Sequence, residues 1–129
     1  MKLQPDRIDA PSITAYGEGW VAVSGQRITH SVVLASTGEQ FDWQCARFEA
    51  LTPDHFAQLL ALPIEMVIFG SGSRQRFVPP AWLAPFMQRR IGVETMNTLA
   101  ACRTYNILAG EGRKVALAVV LEASEPAQP

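Results

Sequence analysis

The sequence predicts an α/β fold, and three features of its pattern support this prediction. Before residue 50, short β-prone runs alternate with turns that contain Gly, Ser and Thr, which is typical of an antiparallel meander. After residue 50, helical and strand-like segments alternate, which favours a largely parallel sheet with right-handed crossovers. The later strand-like runs are apolar almost throughout, as expected of strands that are covered on both faces.

The first half of the chain contains four β-prone runs, with the sequences ITAY, WVAV, RITHSVVL and FDWQC. The side chains are taken to alternate between two faces in Trp20–Val23 and in Phe41–Cys45, which predicts one buried and one solvent-exposed face. The ends of the chain are different. Met1–Pro11 is expected to be an extended arm and Ala123–Pro129 a flexible tail, so residues 12–122 form the predicted single α/β domain.

The second half is predicted to form three helices and three strands. Thr52 suits the N-cap of the first helix, Pro53 suits its first position, and Pro63 ends it. The other elements follow in order as strand, helix, strand, helix and strand, at Glu65–Phe69, Pro80–Arg90, Val93–Met96, Asn97–Ala109 and Lys114–Leu121.

Composition argues against several classes of partner. The chain has 129 residues and a formal net charge of −1, so it lacks the basic excess that nucleic-acid binding requires. The N-terminus has no apolar signal segment, and the longest apolar run, Val115–Leu121, is far shorter than the ~20 residues of a membrane span. We therefore expect a soluble, cytoplasmic protein that makes at most peripheral contact with a membrane.

The sequence contains no recognisable catalytic or metal-binding motif. Cys45 and Cys102 lie in separate apolar segments, which predicts buried free thiols. His30 and His55 have no neighbouring ligand residues, whereas a zinc site needs three or four clustered donors. We expect no metal and no cofactor, and we find no positive sign of an enzyme.

The first candidate site is the loop Gly70-Ser71-Gly72-Ser73, which directly follows a buried strand. Ligands collect at the carboxyl ends of parallel strands, and glycines let backbone N–H groups approach an anion. Arg74 and Arg76 would add positive charge. The motif is nevertheless incomplete, because Gln75 stands where a dinucleotide loop has its third glycine. A tight turn at the end of a strand explains the same residues.

The second candidate is the junction at Asn97 and Thr98, which should lie at the same sheet edge as the Gly70 loop. Either residue suits a helix N-cap, and capping alone would explain both. A helix N-terminus beside a glycine loop would also favour a carboxylate or phosphate.

The third candidate is one face of the last helix, which carries Arg103 and Asn106, together with Arg113 just beyond its end. Asn is a weak helix former, so neither helix propensity nor core packing explains its position in the middle of this helix. Three interpretations remain open: a solvated stripe, a partner surface, or hydrogen bonds to a neighbouring loop, with Arg103 or Arg113 clamping a carboxylate such as Glu94 or Glu111.

Several residues are similar to a known family. They are IFGSG after a strand, the series Thr98, Ala101, Cys102, Thr104, Tyr105, Asn106 and Leu108 in the last helix, and Glu111-Gly112-Arg113 after it. The sequence resembles, from about Ile13 to Leu121, a small uncharacterised domain of bacteria and archaea that also occurs in an NDUFAF-type mitochondrial assembly factor of complex I. Asn97 and Ser71 depart from the Asp and Thr that are common in relatives.

The resemblance implies a three-layer fold with a mixed central sheet of about five strands, one of them antiparallel. It also implies a protein-interaction or assembly-factor role beside a respiratory or other membrane complex. It implies no catalytic site. The alternative is a small anionic-ligand binder or an enzyme that uses the crevice between Gly70–Ser73 and Asn97–Thr98.

Overall fold

A five-stranded mixed sheet forms the centre of this computed structural model, which describes residues 10–122. The predicted tail lies outside the described residues, as does the predicted arm apart from residues 10 and 11. The strands are β1 to β8 in chain order, at Ile13–Gly17, Trp20–Val23, Gln26–Ile28, Val32–Ala35, Gln40–Asp42, Met66–Gly70, Gly92–Met96 and Val115–Val119. The α-helices are α1 to α3, at Pro53–Ala57, Ala84–Gln88 and Thr98–Gly110.

The central sheet has the strand order β5-β4-β8-β6-β7. Strand β6 runs parallel to both of its neighbours, whereas β4 runs antiparallel to both β5 and β8. The α/β class and the mixed sheet of five strands are therefore confirmed. Parallel pairing of β6 and β7 brings their carboxyl ends to one edge of the sheet, since Gly70 is in register with Met96.

The predicted meander is divided between two sheets. Strands β1, β2 and β3 form a separate antiparallel sheet, whereas β4 and β5 join the central one. The run RITHSVVL is broken at its middle because Ser31 turns inward: its Oγ accepts a hydrogen bond from the N–H of Leu121 at 2.9 Å, and its carbonyl accepts one from Trp43 at 3.0 Å. Ser31 thereby fixes the start of β4 beside the end of β8.

The two faces of the central sheet pack against different layers. Residues of one parity, such as Val67, Phe69 and Ala118, pack with α1, α2 and the Trp43 ring. Residues of the other parity, such as Ile68 and Leu117, pack with α3 and the small sheet. The molecule thus has three layers and two apolar cores, as expected when both faces of a sheet must be covered.

Two details of the predicted first half are resolved by burial. The alternation predicted for Trp20–Val23 is wrong, because Val21, Ala22 and Val23 are all buried in the middle strand of the small sheet. The alternation in Phe41–Cys45 is confirmed, since Trp43 and Cys45 are buried and their neighbours are not, although β5 itself ends at Asp42.

The first two helices are shorter than predicted. The Pro80–Arg90 segment consists of a 3₁₀ turn, Pro80–Leu83, followed by α2, which ends at Gln88. Pro85 has no N–H to donate to a preceding carbonyl, so one continuous α-helix is unfavourable there. Helix α1 likewise continues as a 3₁₀ turn, Gln58–Ala61. The last helix agrees with its prediction to within one residue at each end.

Candidate functional site

The Gly70 loop and the Asn97–Thr98 junction do meet, at the carboxyl ends of β6 and β7. The N–H of Thr98 donates to the carbonyl of Gly72 at 2.8 Å, and the N–H of Gly72 donates to the hydroxyl of Thr98 at 2.9 Å. The predicted neighbours are therefore joined by a reciprocal pair of hydrogen bonds. No open crevice lies between these two residues.

Gly70 is required by close packing at this junction. A Cβ at this position would lie 2.9 Å from Val119 Cγ1 and 3.0 Å from the Cα of Thr98. Contacts of that length are below ordinary van der Waals separation, so a larger residue would push α3 away from the sheet. The glycine lets the helix start directly above the end of β6.

Ser71 is fully buried and holds the loop together internally. Its hydroxyl donates to the carbonyl of Arg74 at 2.8 Å and accepts from the N–H of Arg76 at 2.8 Å. Its own N–H donates to the carbonyl of Met96 at 2.9 Å. The polar groups of Ser71 are thus used within the protein, which leaves them little capacity to bind an external anion.

The start of α3 is capped from within the chain. Asn97 is the N-cap, and its side-chain oxygen accepts from the N–H of Ala100 at 2.9 Å. Thr98, which is buried, also donates its hydroxyl to the carbonyl of Val120 at 3.1 Å. Three of the first four N–H groups of α3, those of Thr98, Ala100 and Ala101, have partners in the protein. The geometry of this junction is thus that of a helix N-cap, which is the structural one of its two interpretations.

A charged cluster that the sequence did not indicate lies beside the loop. The guanidinium of Arg76 donates to the carbonyl of Ser71 at 2.7 Å, pairs with Glu122 at 3.0 Å and lies 3.4 Å from Glu49. It also lies over the ring of Phe48, with 4.6 Å between the guanidinium carbon and the ring centroid. Glu49 and Glu122 are far from Arg76 in sequence, and no motif links them, so only the fold could identify the cluster.

An open groove of about 800 Å³ adjoins this cluster. A 3₁₀ turn at Phe48–Ala50 precedes α1. The walls of the groove are the turn between β1 and β2, residues 46–49 at this 3₁₀ turn, the loop after β6, the start of α3 and the residues that follow β8. Four of the predicted site residues line it, namely Gly72, Ser73, Asn97 and Thr98. Gly70 and Ser71 lie behind its wall, and Arg103, Asn106 and Arg113 lie elsewhere on the molecule.

Asn106 binds the backbone of β1. Its side-chain oxygen accepts from the N–H of Ile13 at 2.9 Å, and its side-chain nitrogen donates to the carbonyl of Ile13 at 2.7 Å. Tyr105 adds a hydrogen bond from its hydroxyl to the carbonyl of Pro11 at 2.6 Å. Arg103 lies 3.4 Å from the hydroxyl of Tyr16. Of the three interpretations of this face, hydrogen bonding to a neighbouring segment is the one that matches these contacts.

Arg113 pairs with a carboxylate, but not with a predicted one. Its Nε lies 2.9 Å from Oε1 of Glu65, which precedes β6. The predicted partners were Glu94 and Glu111, whereas the parallel pairing of β6 with β8 brings Glu65 to the start of β8, next to Arg113. Both side chains are about half exposed, so the pair adds little stability.

The thiols are buried, as predicted. Burial raises the pKa of Cys102 to about 12, against a smaller opposing effect of Arg103, and burial also raises the pKa of Cys45. A raised pKa keeps a thiol protonated and unreactive at neutral pH. Over residues 10–122, no three His, Cys, Asp or Glu side chains come together as metal ligands would. The same stretch has no helix of a length and apolarity suited to crossing a bilayer.

Known proteins share both this sequence pattern and this fold. The family described as protein of unknown function (DUF498/DUF598) matches residues 13–120. The chain is 31% identical over 127 residues to NADH dehydrogenase (ubiquinone) 1 alpha subcomplex assembly factor 3 of Homo sapiens, a match that covers 92% of this chain and 65% of that protein. The chain therefore spans less than two thirds of the length of this relative.

Solved structures from bacteria match over nearly their whole length. A crystal structure of a Bordetella parapertussis protein is 35% identical, with a TM-score of 0.82, and the match covers 88% of this chain and 97% of that one. An NMR structure of a Xanthomonas campestris protein is 34% identical, with a TM-score of 0.79, and the match covers 99% and 98%. The predicted resemblance is confirmed.

Proposed function

Because the chain belongs to the family of proteins of unknown function (DUF498/DUF598), we propose that it is an assembly-factor-like module that binds other proteins. The observation that carries this proposal is the 31% identity to a protein named as an assembly factor, over 92% of the present chain. The domain that the two proteins share is the part on which the proposed role rests. A partner within a respiratory or other membrane complex is the finer form of the proposal.

The groove beside the Gly70 loop is the surface that we propose for the partner. Its lining offers both charge and apolar area, because Arg76 and Glu122 line it together with Leu99, which is 40% exposed on the first turn of α3. Protein interfaces combine such apolar contacts with a charged rim. In this proposal Ser73 and Asn97 contact the partner, while Gly70, Ser71, Arg103, Asn106 and Arg113 hold the scaffold.

The experiment is cross-linking and affinity capture from native membranes and cytosol under mild solubilisation. Leu99→Gln should reduce the recovery of a stable partner, because it removes the exposed apolar side chain of the groove. Ile107→Gln is the matched control, since Ile107 is 62% exposed on the same helix but does not line the groove. Equal recovery with both variants would remove the groove from the proposal, and no partner for the natural chain would remove the role itself.

The alternative is that the same groove binds a small anion, either as a binding protein or as an enzyme. The volume of the groove, about 800 Å³, is within the range of small-molecule sites. A thermal-shift series with inorganic phosphate, a nucleotide and a dicarboxylate separates the two functions. An anion at ~100 times its dissociation constant stabilises the fold by ~2.7 kcal/mol, whereas a protein-binding groove leaves the unfolding temperature unchanged.

Two further parts of the sequence interpretation enter this proposal. Residues 12–122 act as one domain, and the protein works in the cytoplasm with at most peripheral contact with a membrane. Cell fractionation at low and high salt measures how much of the protein is in the cytosol and how much is with the membranes. A peripheral contact made by charged side chains weakens as salt rises, so the membrane-bound share should fall at high salt.

A further inference from the structure

Strand β7 is an open edge of the central sheet. It pairs with β6 on one side, and no described strand pairs with its other side. An edge strand presents unpaired N–H and C=O groups, and natural proteins usually block such edges with proline, lysine, a bulge or a short length. Strand β7 has five residues, GVETM, and contains neither proline nor lysine.

The register identifies the groups that face outward. The N–H of Gly92 donates to Glu65, and the carbonyl of Met96 accepts from Ser71, so these residues face β6. Because backbone groups alternate along a parallel strand, those of Val93 and Thr95 point away from the sheet. One of these groups is occupied: the side chain of Gln75 donates to the carbonyl of Thr95 at 2.8 Å. Gln75 supplies the contact that an added strand would make.

The other sheet edges offer less to a partner. At β1 the N–H and C=O of Ile13 are both bound by the Asn106 side chain. At β5 the strand has three residues. Strand β3, the other edge of the small sheet, also has three residues. In the described part of the chain, β1 and β7 are therefore the two edges of five residues, and β1 is occupied at Ile13.

Arginines flank β7 at both ends, an exposed methionine lies nearby, and the one charged residue of the strand itself, Glu94, is exposed between the arginines. Arg89 and Arg90, both exposed, lie three and two residues before its first residue, Gly92, and exposed Arg74 adjoins Gln75 at its other end. Met87 is 74% exposed on α2, the helix that contacts β7. Acidic side chains complement the arginines, and alternate apolar side chains complement the methionine.

We propose that the outer edge of β7 binds an extended, acidic segment of a partner protein, which adds to the sheet as a sixth strand. This inference rests on the proposed protein-binding role and names a second surface for it. A second copy of the chain fits the edge less well. Antiparallel pairing of two β7 strands would bring the arginines at the start of one strand towards Arg74 of the other, and like charges at close range disfavour association.

The test uses a short synthetic peptide in which valine and glutamate alternate, with matched peptides that carry lysine or glutamine in place of glutamate. Binding is followed by fluorescence anisotropy and by amide hydrogen exchange. The glutamate peptide should bind more tightly than the lysine peptide and should slow exchange at the N–H groups of Val93 and Thr95. Exchange at Glu94, whose N–H faces β6, is the internal reference.

Two variants separate the edge from side-chain packing. Val93→Pro removes an outward N–H at a position where an edge strand tolerates proline, and it should weaken binding by roughly tenfold relative to Val93→Ala. Val93→Ala keeps the N–H and removes both methyl groups of the valine, so it measures what side-chain packing alone contributes. Arg89→Glu should weaken binding of the glutamate peptide and strengthen that of the lysine peptide.

Several results would overturn the inference: no binding, slowed exchange elsewhere, equal affinity for the three peptides, or concentration-dependent protection of β7 without peptide, which would indicate a second copy. The affinity-capture experiment and the peptide-binding experiment can fail independently of each other. If Val93→Pro leaves natural partner recovery intact while Leu99→Gln reduces it, the protein-binding role stands and the β7 surface is rejected. If no partner is recovered but the peptide binds at Val93 and Thr95, the edge stands and the assembly role falls.

Discussion

Replacing Thr98 by valine tests whether the junction of the Gly70 loop with α3 is structural. The hydroxyl accepts from the N–H of Gly72 at 2.9 Å and donates to the carbonyl of Val120 at 3.1 Å, and all three residues are buried. Valine keeps the shape but leaves both backbone groups unpaired. Each of the two unpaired buried groups costs about 1–3 kcal/mol, so the free energy of unfolding should fall by about 2–6 kcal/mol.

Thr98→Ser is the matched control, because serine keeps the hydroxyl and loses one methyl group. Removing a buried methyl costs about 1 kcal/mol, so the serine variant should be the more stable of the two. Urea unfolding at a constant m-value gives both free energies. The reasoning fails if the valine variant is as stable as the natural protein, or if the serine variant is less stable than the valine one.

Three further predictions concern other parts of the scaffold. Asn106→Ala should lower the free energy of unfolding by about 1–2 kcal/mol, because it removes the hydrogen bonds to the N–H and C=O of Ile13 in β1. Replacing the exposed Arg103 by alanine should change the free energy of unfolding by less than about 0.5 kcal/mol, and equal losses in the two variants would contradict this. Gly70→Ala should cost about 1–3 kcal/mol by overpacking, whereas Gly110→Ala, with open space around it, should be neutral or stabilising; thermal unfolding compares them. Burial raises the pKa of the Cys102 thiol from 9.0 to about 12, so the unfolded chain loses this proton at a lower pH than the folded protein does. The free energy of unfolding should therefore fall as pH rises above about 9, and it should fall less steeply in Cys102→Ala. Equal pH dependence of the two proteins in a series of unfolding measurements would contradict this.

Local sequence rules predicted the parts of the fold that depend on local chemistry. Asn97 is a helix N-cap because its side chain reaches an N–H three residues away. The continuous apolar run of β8 predicted a strand buried on both faces, which it is. Errors appear where a distant contact decides. The break at Ser31 depends on Leu121, ninety positions away, and nothing within the run RITHSVVL reveals that contact.

The candidate site was harder to predict than the fold for the same reason. Thr98 and Asn106 form hydrogen bonds with backbone groups of other elements, which only the tertiary structure brings near, whereas the Ser71 hydroxyl binds backbone groups of its own loop. The cluster around Arg76 is made with two glutamates that are 27 and 46 positions away. Sequence spacing carries no signal for such pairs, whereas a motif within one loop or helix does.

The segment from Gly70 to Phe77 links the two proposed surfaces. Gly72, Ser73 and Arg76 line the groove, whereas Gln75, in the same segment, contacts the edge of β7 at Thr95. Within this segment Ser71 is buried and hydrogen-bonded to the backbone of its own loop, and Arg76 is held by the Ser71 carbonyl and by Glu122. A partner that occupied both surfaces would therefore meet a preformed scaffold and would lose little affinity to ordering this segment. The polar residues that first suggested a ligand site serve, in this interpretation, to hold a binding surface in shape.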